Sequence, residues 1–139
     1  MGYEGRKIED FINKLLENNI KYIVDVRKNA YSMKYDFIKS RLQSYLQKMS
    51  IDYQHITDLG INSEDRKNLI SIQDYRDLFN VYEKEILPTK TSQLKVIYDL
   101  LNAHNRVAIM CFESDVSKCH RRIISMQNIF KDNFKIVDL

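Results

Sequence analysis

Two cysteines, a glutamate, a histidine and two arginines fall close together late in the chain: Cys111-Phe112-Glu113, then Cys119-His120-Arg121-Arg122. Thiol, carboxylate, imidazole and guanidinium in one short stretch supply the parts of a nucleophile, a proton carrier and an anion grip. If Ser117 caps a helix, Lys118 to His120 fill its first turn, where free backbone N–H groups and the helix dipole favour an anion. Arg121 or Arg122 then forks onto the anion's oxygens, and the same field lowers the Cys119 pKa. Cys119 is the candidate nucleophile and Glu113 the candidate base. Each also has a plainer reading. Cys119 shares a helical face with Ile123, Met126 and Phe130 and can be core, and Glu113 can simply neutralise Arg121. Cys111 continues an apolar run and reads as packing. No metal or cofactor is expected, because the seven residues between the cysteines match no standard zinc spacing, even with His120 and His55 nearby.

Two further polar groups stand after apolar runs. Asp25-Val26-Arg27 follows the first, and Arg27 is either ion-paired to Asp25 as scaffold or a phosphate grip. His55, with Asp58 three residues on, is either a core histidine bonded to backbone or a proton carrier. Arg6 joins Arg27, His120 and Arg121 as an expected anion-binding side chain. Tyr31 and Tyr35 flank Lys34, and with Lys28, Lys39 and Arg41 they could stack bases and hold phosphates or form an ordinary solvated loop. His104, in a polar stretch, reads as surface.

The elements that must position these residues follow from periodicity. Ile8, Phe11, Ile12, Leu15 and Leu16 make one helix face. Lys21 to Val26 is a near-continuous apolar run suited to a strand covered on both faces. Residues 27–36 read as a loop, 37–49 as a helix and 51–56 as a strand. Ile72, Tyr75, Phe79, Tyr82 and Ile86 give a helix stopped by Pro88. A further helix carries Leu94, Ile97, Tyr98 and Leu101. Val107 to Phe112 reads as a buried strand, 117–131 as one helix, and Phe134 to Leu139 as a last strand. Alternating strands and helices predict an α/β fold: a three-layer sandwich, with a mostly parallel sheet of about four strands and helices on both faces. Ligands in such sheets bind beyond the carboxyl ends of the strands, where the loops at Arg27, Thr57 and Glu113 begin.

Composition sets the bounds. The chain has 139 residues, 44% hydrophobic and 29% charged, which suits one globular domain over 1–139 and excludes a disordered or collagen-like chain. Lys and Arg number 22 against 19 Asp and Glu, for a net charge of +3. That permits a local anion site without making the whole surface a nucleic-acid footprint. Two cysteines are too few for a disulfide scaffold, and no apolar run reaches the ~18 residues of a membrane span. The opening residues lack a signal core, so a cytoplasmic protein is expected.

Gly2-Tyr3-Glu4-Gly5-Arg6, Asp25-Val26-Arg27, His55 with Asp58-Leu59-Gly60, Met110-Cys111-Phe112-Glu113 and Cys119-His120-Arg121-Arg122 form an ordered series. It resembles the bacterial and archaeal family called domain of unknown function 488, over essentially the whole chain. The C-x-E … C-H-R pattern is its most specific part. The resemblance implies an α/β sandwich with a shared polar pocket built from these residues, and no particular reaction. Ala30 stands where the family usually has proline, and Thr57-Asp58 where it has proline and glutamate. Members also tend to begin with a strand before the G-Y-x-G-R, so one edge strand is expected to be missing here. A looser similarity links the strand ending D-V-R to rhodanese-like domains, but neither cysteine starts a C-x5-R anion loop.

The function expected from these residues is an enzyme, a hydrolase or transferase, acting on a phosphate-bearing nucleotide or nucleic-acid substrate. Two alternatives remain: a non-catalytic module binding nucleic acid or protein through residues 28–41, and a thiol-dependent sulfur-transfer or redox protein.

Overall fold

The computed structural model describes all residues, 1–139. Three short strands carry the fold: β1 Tyr22–Asp25, β2 Asp52–His55 and β3 Val107–Met110. They run parallel in the order β2-β1-β3, with Asp25 opposite His55 on one side and Met110 on the other. The carboxyl ends of all three strands therefore meet at one rim. Six α-helices surround them: α1 Ile8–Glu17, α2 Lys39–Lys48, α3 Ile72–Val81, α4 Thr91–His104, α5 His120–Ser125 and α6 Asn128–Lys131.

The pleat sends successive side chains of β1 to opposite faces, and the core divides accordingly. Ile23, Ala108 and Met110 join Phe11 and Leu15 of α1 and Leu42 and Leu46 of α2 in one buried cluster. Val24 and Val26 join Phe79 of α3, Ile97 of α4, Ile124 of α5 and Phe130 of α6 in the other. The near-continuous apolar character of β1 reflects packing on both sides. The stripe from Ile72 to Ile86 does not end as one helix. After α3 the chain widens into a π-helical turn at Tyr82–Ile86 and then tightens into a 3-10 turn at Leu87–Lys90 that contains Pro88.

Four expectations need correction. The sheet has three strands rather than four, because Phe134 to Leu139 forms no strand. Phe134 packs edge-on against Tyr98 of α4 instead, and Asp138 pairs with Arg122 at 3.1 Å, so the apolar alternation there serves packing rather than pairing. The expected helix over 117–131 is broken into a 3-10 turn at Val116–Lys118, then α5, then α6. Ser117 caps no helix: Asp115 caps the 3-10 turn, its Oδ1 accepting from the Ser117 N–H at 2.9 Å and the Ser117 hydroxyl at 2.7 Å, and α5 starts after Cys119 without a side-chain cap. Finally, His104 is half-buried and lies 4.9 Å from the Tyr22 ring.

Met1 and Gly2 run along the outer side of β3. Met1 N donates to Ile109 O at 2.7 Å, Cys111 N donates to Met1 O at 3.2 Å, and Gly2 bridges Cys111 in parallel. Gly2 is required at that point, since a Cβ there would lie 1.9 Å from Glu113 O. Gly60 is pressed as closely against the backbone of Lys28, where a Cβ would meet its nitrogen at 2.2 Å. Both glycines let loops close over the rim where the strands end.

Candidate functional site

Each strand hands its next residues to the rim. At the end of β1, Asp25 is fully buried and its carboxylate is satisfied within the fold. It accepts from Arg27 Nη2 at 2.6 Å, from Arg27 Nε at 2.9 and 3.0 Å, and from the Tyr53 hydroxyl at 2.6 Å. Arg27 Nη1 reaches Tyr3 Oη and Phe37 O, both at 2.9 Å. The Arg27 guanidinium is thus fully engaged and 4% exposed, which is the scaffold reading of the D-V-R. Burial, then the Asp25 charge and its hydrogen bond, raise the Tyr53 phenol far above its ordinary pKa. Tyr53 therefore stays the donor in this network.

Two imidazoles clamp the chain leaving β1. His55, the last residue of β2, has Nε2 2.8 Å from Arg27 O, with the Thr57 hydroxyl alongside at 3.2 Å. His120 has Nε2 2.9 Å from Val26 O. A carbonyl only accepts, so each Nε2 donates, and at His120 the Nδ1 accepts from the Arg66 side chain. Arg121 is 4% exposed and braces the loop after β3, with Nη1 donating to Glu113 O and Nη2 to Ser114 O at 3.1 Å. Arg6 contributes no side-chain hydrogen bond to the rim; its carbonyl accepts from Lys34 Nζ at 2.7 Å.

Beyond β3 lies the densest chemistry. Ligand-capable atoms of Cys111, Glu113, Cys119 and His120 all stand within 4.8 Å of one another. Cys119 is fully buried and Cys111 is 3% exposed. The extended backbone of Cys119 (φ −129°, ψ 128°), between the 3-10 turn and α5, turns its sulfur back toward β3. Cys111 Sγ donates to Glu113 Oε2 at 3.1 Å and stands 3.8 Å from His120 Nδ1. The Arg66 side chain closes the mouth: Nη1 pairs with Glu113 Oε1 and Nη2 donates to His120 Nδ1 at 2.7 Å. Arg66 comes from a 3-10 turn at Glu64–Arg66, in a polar stretch between β2 and α3. No motif or periodicity marks it.

The two sulfurs share the pocket unequally. Burial opposes ionisation of Cys119, but the neighbouring Cys111 and His120 side chains and the Arg121 charge outweigh it and hold its thiol below the ordinary range. Cys111 moves the other way, held as a thiol by the adjacent Cys119 sulfur and by burial. Burial first, and the Cys119 charge next, raise the Glu113 carboxyl against the opposing pull of Arg66. The arrangement favours ionisation at Cys119 over Cys111, with a carboxyl group beside the two sulfurs.

A parallel α/β sheet with a thiol–carboxylate–imidazole pocket at the carboxyl ends of its strands is the class of protein that the fold and site define. A profile of the domain of unknown function DUF488 matches residues 7–127, and the chain belongs to that family. Comparison with curated proteins and with solved structures returned no match.

Proposed function

We propose that the chain is an enzyme, a hydrolase or transferase, that acts on a phosphate-bearing nucleotide or nucleic-acid substrate at this pocket. The observation that carries the reading is the convergence of Cys111, Glu113, Cys119 and His120 beyond β3, under the Arg66 cap. Burying that many polar groups is costly, and an apolar core of equal volume would hold these elements together at least as well. Arg66 is the anion-binding side chain of this reading. Its fork is held by a carboxylate and an imidazole at the pocket mouth, and a substrate phosphate competes for the same fork. Exchange frees Glu113 to move a proton. Arg27 and Arg121, spent on Asp25 and on backbone carbonyls, position the strand exits, as His55 does through Arg27 O. Thiol transfer ranks second, because a nucleophilic sulfur has to meet its partner and Cys119 is fully buried.

The same reading takes the chain as one three-layer α/β domain at work in the cytoplasm. The two core clusters support the layers, and two free cysteines suit a reducing compartment. No helix is long and apolar enough to cross a membrane. A purely binding role has one observation in its favour. Tyr31 and Tyr35 are 71% and 58% exposed, and the Arg41 guanidinium lies 3.7 Å from the Tyr35 ring centre.

The test is binding and turnover of nucleoside phosphates and short single-stranded oligonucleotides. Arg66→Ala is expected to weaken binding about tenfold or more, as loss of a charged hydrogen bond does. Glu113→Gln is expected to keep binding and lower turnover by roughly 10²–10⁴. Affinity unchanged in Arg66→Ala, or no binding by the wild type, would count against the proposal.

A further inference from the structure

Four electron-pair-donor side chains converge beneath the Arg66 guanidinium. Two sulfurs, one imidazole nitrogen and one carboxylate oxygen make a donor set that zinc takes in four-coordinate sites. Around such an ion, with Zn–S near 2.3 Å and Zn–N near 2.0 Å, ligand atoms stand roughly 3.5–3.8 Å apart. The Cys111 sulfur is 3.1 Å from Glu113 Oε2 and 3.8 Å from His120 Nδ1, already on that scale. No two of the four ligand atoms stand farther apart than 4.8 Å.

Two independent features point the same way. His120 gives its Nε2 proton to Val26 O, which fixes the tautomer and aims the Nδ1 lone pair into the pocket. Metal-ligating histidines are oriented by this kind of bond to a carbonyl or carboxylate. Then there is Arg66: its Nη1 rests on Glu113 and its Nη2 on His120 Nδ1, so a cationic side chain occupies the face that a metal cation would take. The gap between the cysteines, which matches no linear zinc motif, is bridged by the 3-10 turn at Val116–Lys118, and the extended Cys119 returns its sulfur to Cys111.

We infer that Cys111, Cys119 and His120 are fixed ligands of a zinc-class divalent cation, with Glu113 as an exchangeable fourth ligand. The three fixed ligands are at most 3% exposed, whereas the Glu113 side chain is 16% exposed at the mouth. Three buried ligands with one replaceable position is the pattern of a reacting centre rather than of a purely structural one. The inference rests on the pocket of the proposed function and names the group that would work there. Metal binding displaces Arg66 from His120 and Glu113 and turns its guanidinium toward incoming substrate.

The full chain, stripped of metal and kept reduced, is titrated with Co²⁺ and then Zn²⁺. One Co²⁺ per chain is expected, with a thiolate-to-cobalt charge-transfer band and the visible bands of a tetrahedral ion, both abolished by one equivalent of Zn²⁺. Cys111→Ser and Cys119→Ser should each remove a large part of the charge-transfer intensity. Glu113→Gln should keep that intensity and shift the visible bands. Arg66→Ala should bind Co²⁺ at least as tightly as the wild type, because a competing cation is gone; a purely structural Arg66 would give weaker binding. If the serine variants fail to fold, the Glu113→Gln and Arg66→Ala spectra still decide. Folded wild type that takes up far less than one equivalent of either ion, or gives no charge-transfer band, overturns the inference. Phosphate-ligand binding that depends on Arg66 would survive that result, and metal uptake would survive the absence of any phosphate ligand, so the two readings fail separately.

Discussion

Asp25 and Arg27 show how one residue pair supports two readings until its neighbours are known. An arginine after a strand grips phosphate only if its fork is free, and here Tyr3, Phe37 and Asp25 take it up. Removing one partner leaves a buried charge unmatched, so Asp25→Ala should cost about 3–5 kcal/mol in urea unfolding. A loss under 1 kcal/mol would mean that Arg27 is free to bind a ligand. Burial governs the thiols as well. Iodoacetamide should label native Cys111 and Cys119 far more slowly than the same residues in urea, and rapid native labelling of Cys119 would restore it as a nucleophile. The sequence alone marked Glu113, Cys119 and His120 as functional, because their types and spacing are unusual together. Cys111 read as packing, since its burial shows in sequence and its sulfur's neighbours do not. Arg66 was invisible because it reaches the pocket from 47 residues before Glu113.

At the scale of elements, β1 and β3 were legible as near-continuous apolar runs, β2 as an alternating one, and α1, α2 and α4 as apolar stripes of helical period. The C-terminal part was not. Cys119, Ile123, Met126 and Phe130 keep helical spacing, yet the chain breaks at Cys119 and again after α5, and periodicity does not register a change of backbone direction. The tail 134–139 alternates like a strand but packs Phe134 and Ile136 against the core instead of pairing. Where local capping is strong the boundary is well defined. Ser71 Oγ accepts from Asp74 N at 3.2 Å and Asp74 Oδ2 accepts from Ser71 N at 2.7 Å, closing a capping box at the start of α3. Ser71→Ala should cost about 1 kcal/mol. Backbone hydrogen bonds from Ser71 and Ile70 hold the Asp74 carboxyl below its ordinary pKa. A depressed carboxylate stabilises the fold above its unfolded pKa of about 3.9, and that share is lost as pH falls through the lower folded value. Asp74→Asn should therefore flatten the acid limb of the stability profile, and an unaltered limb would remove the carboxylate from that role.

For the whole molecule, the charge balance limits what electrostatics can do. A net charge of +3 spread over 139 residues gives weak long-range attraction, so affinity for a phosphate-bearing strand has to come from local contacts. Log affinity for single-stranded oligonucleotide should fall with log salt at a slope near −0.7 for each phosphate neutralised, only a few in all. Arg66→Ala should reduce that slope by about one contact. A steep slope insensitive to Arg66 would move the interaction to the Lys28 to Arg41 region. The parallel sheet brings the ends of β1, β2 and β3 to one rim, and that topology makes neighbours of residues far apart in sequence. The most direct test of the pocket as the working site is a ¹H–¹⁵N spectrum of the full chain, titrated with nucleoside phosphates and a short oligonucleotide. Shifts concentrated at Arg66, Glu113, Ser114 and Cys119 to Arg121 are the predicted result; shifts confined to Lys28 to Arg41, or none at all, would contradict it.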